Sequence, residues 1–225
     1  MCHSERSEES YKAECATGGG RINFDQQMLD VIAGLDPLDP PRLLLHSCCA
    51  PCSSSVLEQL SRHFRVTVLY YNPNIYPREE YTFRKEEQKR FIAAYPFANP
   101  VDFLDCEYEP AQFYEAAKGL EREPERGSRC TVCYRLRLSR AAREAAAGGY
   151  DYFATTLTLS PLKDAARLNQ IGREEAALLR DKMGEKAPLY LPSDFKKRNG
   201  YLRSIEISKA CGMYRQEYCG CEFSI

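Results

Sequence analysis

From Arg42 onward, short apolar runs alternate with longer amphipathic stretches along the chain. The apolar runs are LLLH, VTVLYYNP, VDFLDCEY and YDYFATTLTLS, and a stretch with helical spacing of its apolar residues follows each of them. Short strands separated by helices are typical of parallel pairing, because a parallel pair needs a long crossover connection. The pattern therefore predicts an α/β fold, with a mostly parallel sheet covered by helices on both faces.

Three polar motifs directly follow predicted strands. HSCCAPC, NPNIYP and LSP stand at the ends of the first, second and fourth strands. In open parallel sheets, ligands bind beyond the carboxyl ends of the strands. We therefore expect the chemistry of this chain to lie at that edge of the sheet.

The 225 residues are enough for one large domain. Residues 1–40 are predicted to be a loose N-terminal extension, which contains a weak helix over Phe24–Ala33 and the turn-rich DPLDPP. Residues 41–225 are predicted to form a single α/β catalytic domain. Its C-terminal part predicts a helix near Tyr201–Cys211, followed by a cysteine-bearing tail.

Charge and cysteine content limit the function classes. The formal net charge is −1, so an anionic partner would have to be met by local basic patches. No apolar run approaches the roughly 18 residues of a membrane span, and MCHSERSEES lacks the apolar core of a signal peptide, which predicts a cytoplasmic protein. In that reducing compartment, 11 cysteines indicate metal ligands or redox groups rather than disulfides.

Seven cysteines fall into three clusters along the sequence. They are Cys48, Cys49 and Cys52; Cys130 and Cys133; and Cys219 and Cys221. Cys106 in a predicted strand and Cys211 in a predicted helix are expected to be core residues, while Cys2 and Cys15 belong to the extension. The Cys-x-x-Cys pair at a helix start can aim both sulfurs at one metal or cluster edge. The Cys-Gly-Cys pair can share one face of an extended chain.

The adjacent pair Cys48–Cys49 is the most informative. Neighbouring residues of an extended chain point to opposite sides, so these two cysteines are expected not to chelate the same ion. A helical turn that begins near Pro51 could bring Cys52 towards Cys48 instead. Seven sulfurs exceed the four that one iron–sulfur cluster takes, which favours two metal centres sharing this segment. A single structural zinc site with spare thiols and a redox dithiol are the alternatives.

Six motifs in order resemble one known family. They are HSCCAPCS, YNPNIYPREEYTFR, RCTVCYRLRL, FATTLTLSPLK, SDFKKRNGY and YRQEYCGCEFS, which together span Leu43 to Ile225. Each motif is short, but all six in this order are highly specific. The chain resembles the epoxyqueuosine reductase family of the QueH type, and the first forty residues lie outside the resemblance.

The resemblance implies a fold related to the nucleotide α-hydrolase and PP-loop group. It implies a [4Fe-4S] cluster beside a mononuclear metal, taken as iron. The implied activity is reduction of epoxyqueuosine to queuosine in a tRNA anticodon loop, the last step of queuosine biosynthesis. An electron donor, which the sequence does not identify, completes the reaction.

The resemblance also suggests a division of the cysteines between the two centres. Some relatives carry an acidic residue at the position of Cys52, which assigns Cys52 and Cys48 to the single metal and leaves Cys49 to the cluster. We assign Cys221 to the cluster and Cys219 to the single metal, although the spacing allows the reverse. The predicted sets are therefore Cys49, Cys130, Cys133 and Cys221 for the cluster, and Cys48, Cys52 and Cys219 for the single metal.

Candidates outside the cysteines are weaker. Tyr134 and Asp194 are the candidate proton donors, and a solvated or structural role is the alternative for each. Basic residues near the motifs are candidate contacts to RNA phosphates. They are Arg78, Arg84 and Lys85; Arg122, Arg126 and Arg129; and Lys196, Lys197 and Arg198.

Two other functions fit parts of the sequence. A PP-loop tRNA thiolase would share the fold, but it needs a glycine-rich loop that cradles phosphate with backbone N–H groups. The segment SCCAPCS occupies that place without a glycine, and Pro51 removes one N–H group. A zinc-stabilised RNA-binding module is the non-enzymatic alternative.

Overall fold

A computed structural model describes residues 22–224 of the chain. Over this range, five strands form one sheet in the order β3-β2-β1-β4-β5, and every neighbouring pair is parallel. The strands are β1 Arg42–His46, β2 Arg65–Tyr70, β3 Val101–Asp105, β4 Tyr152–Thr155 and β5 Leu189–Tyr190. The predicted parallel sheet is confirmed. The fifth strand, only 2 residues long, was not predicted from the sequence.

The helices follow the strands as predicted. They are α1 Phe24–Ala33, α2 Ala50–Leu60, α3 Arg78–Ala94, α4 Pro110–Ala117, α5 Ser128–Ala147, α6 Ala165–Met183 and α7 Gly200–Ala210. Short 3-10 turns cover Thr156–Leu159, Gly184–Lys186 and Glu222–Ser224.

The central strand β1 carries apolar residues on both of its faces. Leu43 and Leu45 enter one core with residues of α1, α2, α3 and α7, while Leu44 enters a second core with residues of α5 and α6. Successive side chains of a strand point to opposite faces, so an unbroken apolar run must be covered on both sides. The two cores confirm helices on both faces of the sheet.

The structure differs from the predicted loose extension over helix α1. Met28 is fully buried in the core beside β1, and Asp25 forms an ion pair with Arg198 at 3.0 Å. The side chain of Asn23 caps the helix by accepting a hydrogen bond from the backbone of Gln26 at 3.2 Å. Residues 1–21, including Cys2 and Cys15, lie outside the described part of the chain.

His46 joins three strand ends at the carboxyl edge. Its Nδ1 lies 2.9 Å from Thr155 Oγ1 at the end of β4, and its Nε2 donates to the carbonyl of Tyr71 at 3.1 Å, directly after β2. Burial lowers the pKa of His46 to about 4, so the imidazole is neutral at physiological pH. The edge is therefore tied together by a neutral histidine that leaves no ring nitrogen free.

Replacing Met28 with alanine tests whether α1 belongs to the domain. Removing a fully buried side chain leaves a cavity, so Met28→Ala should lower the free energy of unfolding by about 2–5 kcal/mol. Leu38→Ala is the matched control, because Leu38 is 92% exposed in the same segment and should change stability by less than about 0.5 kcal/mol. Urea unfolding followed by circular dichroism measures both. Equal, negligible effects would make residues 22–40 a loose extension after all.

Candidate metal centre

The first sulfur group lies where β1 leads into α2. The Sγ atoms of Cys48, Cys49 and Cys52 all lie within 4.8 Å of one another, and those of Cys48 and Cys49 are 3.8 Å apart. This group stands at the carboxyl edge of the sheet, as predicted for the motif HSCCAPC. The three sulfurs are close enough to share one metal ion.

The expectation that Cys48 and Cys49 face opposite sides is wrong. Alternation holds only for a continuous extended chain, and the backbone bends at Cys48 directly before the helix. Cys49 keeps an extended conformation as the N-cap residue of α2, with φ −174° and ψ 160°. Cys52 then approaches from the first turn of the helix, as predicted.

Because these three thiols lie close together, their pKa values differ. Hydrogen bonds from Cys49 and Cys52 hold the pKa of Cys48 well below its usual range. The same interaction with Cys48 raises the pKa of Cys49 to about 12 and that of Cys52 well above normal. The three thiols therefore do not ionise equally, because like charges at this distance oppose each other. A bound cation would stabilise the other two thiolates.

The second sulfur group lines a small, partly open cavity. Its cysteines are Cys130 and Cys133 from the start of α5, and Cys219 and Cys221 from the tail. Residues three apart on a helix share a face, which aims the first two sulfurs into one space. The fold thus brings two sequence segments that are about 90 residues apart to one cavity.

The Cys-Gly-Cys pair depends on its glycine. Gly220 has a φ of +98°, and a Cβ at this position would lie 2.9 Å from Ile75 Cγ1. Its carbonyl accepts a hydrogen bond from the backbone N–H of Tyr76 at 2.8 Å. A hydrogen bond from Cys221 lowers the pKa of Cys219 to about 5, and the same contact raises the pKa of Cys221. The tail therefore presents one thiolate and one thiol to the cavity.

Two buried arginines hold this tail in place. Arg84 of α3 is 1% exposed, pairs with Glu80 at 2.6 Å and donates to the carbonyl of Cys219 at 3.4 Å. Arg129 of α5, also 1% exposed, donates to the carbonyls of Glu121 at 2.8 Å and of Phe223 at 3.1 Å. Guanidinium groups are suited to binding several backbone carbonyls, since each offers several hydrogen-bond donors in a fixed plane.

The two sulfur groups are contiguous. Gln216 of the tail donates to Cys49 Sγ at 2.7 Å, which links the tail to the first group. Lys163 lines the cavity of the second group. Burial opposes the charge of Lys163, but the thiolates of Cys48, Cys219 and Cys52 overcome this and raise its pKa. One ammonium is therefore close to cysteines of both groups.

Comparison with known proteins identifies the family. The family model described as epoxyqueuosine reductase QueH matches residues 43–225. The chain belongs to the QueH family. It is 41% identical over 209 residues to the QueH of Staphylococcus epidermidis, an alignment that covers 91% of this chain and 85% of the relative. It is 33% identical over 184 residues to the QueH of Thermotoga maritima, with 81% of this chain and 90% of the relative covered.

Membership of the QueH family confirms the resemblance drawn from the six motifs, and with it an oxidoreductase. Among solved structures, the U34-tRNA thiolase NcsA from Methanococcus maripaludis with its [4Fe-4S] cluster has a TM-score of 0.49 and 13% identity, over 89% of this chain and 67% of that one. We draw no conclusion from a similarity this low, and the fold described above rests on the strand order alone. No helix within residues 22–224 is long and apolar enough to cross a membrane.

In this QueH chain, the two candidate proton donors lie in different places. Tyr134 lines the cavity of the second sulfur group, and burial raises its pKa to about 12, which keeps its hydroxyl protonated at neutral pH. Asp194 is absent from that lining and pairs with Lys196 at 2.6 Å. The geometry favours Tyr134 of the two.

The single cysteines of the QueH chain have the predicted structural surroundings. Cys106 is buried in the core beneath α5, and burial raises its pKa to about 11. Cys211 ends α7 and packs against the other core. Neither of them lines the cavity or joins the sulfur trio.

Several basic residues predicted to face RNA have structural partners instead. Arg84 and Arg129 are buried as described above, and Lys85 pairs with Asp105 at 3.1 Å. Arg78 is exposed, and its guanidinium lies over the ring of Tyr108 at 4.8 Å from the centroid. The remaining predicted groups are divided between paired and exposed residues, with Lys196 and Arg198 paired and Arg122 and Lys197 exposed.

The sequence reasoning missed four polar residues that line the cavity. They are Asn74, Glu125, Arg137 and Lys163. All but Glu125 lie inside a motif that carried the resemblance, but none was singled out. For Arg137 a local signal existed, because a residue four positions after Cys133 on a helix lies on the same face.

Proposed function

We propose that this QueH chain reduces epoxyqueuosine to queuosine in the anticodon loop of tRNA, the last step of queuosine biosynthesis. The observation that carries the proposal is the gathering of seven cysteines into two contiguous sulfur groups at the carboxyl edge of the sheet. A structural zinc site would need only four of them.

The donor set fits a [4Fe-4S] cluster beside a single metal. Four thiolates are the usual ligands of such a cluster, and the three that remain leave a single metal with room for a further ligand. Arg137 and Lys163 form no ion pair among the described residues, and with Arg129 they outnumber Glu125, the one carboxylate residue of the described lining, so the cavity is suited to an anionic group. Iron–sulfur clusters with thiolate ligands carry a net negative charge.

The proposed division of ligands follows the prediction from the sequence. Cys49, Cys130, Cys133 and Cys221 would hold the cluster, and Cys48, Cys52 and Cys219 the single metal, taken as iron. The spacing of the sulfurs offers a rival division, in which Cys48, Cys49 and Cys52 bind the single metal and the four cavity cysteines bind the cluster.

The reaction removes one oxygen atom from an epoxide. It takes two electrons and two protons, forms an alkene and releases water. When bound, the cluster supplies single electrons and the adjacent metal supplies Lewis acidity. The protein supplies Tyr134 as the candidate proton donor in the cavity wall, while Phe113 in the same wall helps to exclude water.

The tail and the loop after β2 offer an RNA-binding surface beside the sulfur groups. Tyr76 is exposed, and Tyr218 donates to its carbonyl at 3.2 Å, next to the Cys-Gly-Cys pair. Unpaired bases of an RNA loop stack on exposed aromatic rings. Arg78, close by in the sequence, is suited to a phosphate contact.

An anaerobic assay tests the function directly. Protein reconstituted with iron and sulfide should contain about five irons per chain, four for the cluster and one beside it. With a chemical reductant and tRNA that carries epoxyqueuosine, it should form queuosine, measured by mass spectrometry of digested nucleosides. One zinc per chain without sulfide, and no conversion, would contradict the proposal and indicate a structural zinc protein.

Two alanine variants distinguish the divisions of ligands. Under the proposed division, Cys49→Ala should lose most of the roughly 400 nm absorbance of the cluster, and Cys219→Ala should retain it but lose turnover. The rival division predicts the reverse. Cys133→Ala should bleach the protein in both cases, and Cys106→Ala, a buried cysteine away from the sulfur groups, should leave absorbance and turnover unchanged.

Two further variants test Cys52 as a metal ligand. A carboxylate is a good ligand for divalent iron, whereas a neutral hydroxyl binds weakly, so Cys52→Asp should retain measurable turnover and Cys52→Ser should do worse. Turnover and iron content under anaerobic conditions measure the difference, with Cys211→Ser as the unaffected control. If Cys52 only packs at the helix start, burying a charge is costly and serine will outperform aspartate.

A further inference from the structure

We propose that the buried positive charge of Arg137 raises the midpoint potential of the cluster and so favours the reduced form of the cluster. This inference rests on the proposed presence of the cluster. It assigns to Arg137 an electrostatic role and no contact with the substrate.

Arg137 is buried without a charged partner of its own. It is 3% exposed in the third turn of α5 and lines the cavity with the four cysteines of the second sulfur group. Its Nε donates to the carbonyl of Cys133 at 3.2 Å, within the same helix. Within residues 22–224, no carboxylate lies within ion-pair distance of its guanidinium, although Glu125 lines the same cavity.

The other buried arginines differ from it in this respect. Arg84 is paired with Glu80, and Arg129 donates to several backbone carbonyls. A buried charge without compensation is strongly unfavourable, so the counter-charge of Arg137 must come from the cavity that it faces. Burial opposes the charged form, but the sulfurs of Cys133 and Cys48 outweigh it and raise the pKa of Arg137.

Lys163 is less suited to the same role. Its side chain is only half-buried, and the thiolates that act on it most are Cys48, Cys219 and Cys52, the proposed ligands of the single metal. Arg137 in contrast is held by its own helix and by the ring of Tyr134, whose centroid lies 5.8 Å away. Of these two cations, Arg137 acts more strongly on Cys133, because it lowers the pKa of that thiol more than Lys163 does.

The electrostatic consequence has a definite sign. Reduction adds one electron to the cluster, without making or breaking a covalent bond, and increases its negative charge. A nearby cation stabilises the reduced form more than the oxidised form, so removing the cation should lower the midpoint potential. For a unit charge at about 10 Å in a medium of effective dielectric about 20, the equilibrium shifts by about tenfold or more, which is about 59 mV for one electron.

The test uses the full chain with its cluster and no tRNA. Arg137→Met, Arg137→Lys and the control Arg143→Met, which changes an exposed residue of the same helix, are titrated anaerobically with dithionite as the electron source. Absorbance at roughly 400 nm and electron paramagnetic resonance report the reduced fraction. Arg137→Met should lower the midpoint potential by about 59 mV or more. Arg137→Lys should have a midpoint potential close to that of the wild type, and Arg143→Met should have the wild-type value.

The other outcomes are equally decisive. An unchanged potential in Arg137→Met overturns the inference. If Arg137→Met assembles no cluster, a cluster that still forms in Arg137→Lys supports the charge role. Loss of the cluster in both variants overturns it. A wild-type protein that binds no cluster overturns the inference together with the proposed cofactor, whereas a shifted potential without epoxyqueuosine reduction leaves the inference intact and refutes only the proposed reaction.

Discussion

The parallel pairing of β1 between β2 and β4 is the constraint on which the rest of the structure depends. Leu43 is aligned with Val66 on one side and with Tyr152 on the other, so three strands end at one edge. His46 then locks these ends through bonds to Thr155 and Tyr71. Because β1 is central and buried on both faces, its register determines where the sulfur trio after it is presented.

The tail that carries two of the sulfurs is held by buried arginines as well as by apolar packing of Cys221 and Phe223 against Phe113. Arg84 and Arg129 fix the tail through backbone carbonyls, and Arg137 and Lys163 face the cavity itself. Arginine can satisfy many acceptors while buried, which suits a tail of irregular backbone. The same positive charges make the cavity favourable for thiolates and for an anionic cofactor.

The sequence predicted the elements better than the details of the site. The sequence located α1 at Phe24–Ala33 and placed the Cys-x-x-Cys pair at the start of a helix, which is α5, because local propensity and burial agree there. It missed the closeness of Cys48 and Cys49, which depends on a single bend in the backbone. It also could not tell a buried arginine from an exposed one, since Arg129 is covered partly by the distant tail, where it donates to the carbonyl of Phe223.

The distance along the chain between the sulfur groups has a consequence for how the protein is assembled. Gln216 and Cys49, which meet in the structure, are 167 positions apart, and His46 and Thr155 are 109 apart. Non-local contacts of this kind form late, because loop closure must precede them. Complete ligand sets therefore exist only after the sheet has formed and the tail has docked. Until that moment the thiols are open to oxidation and to the wrong metals, so under the proposed function the supply of iron and sulfide has to be matched to the time of folding.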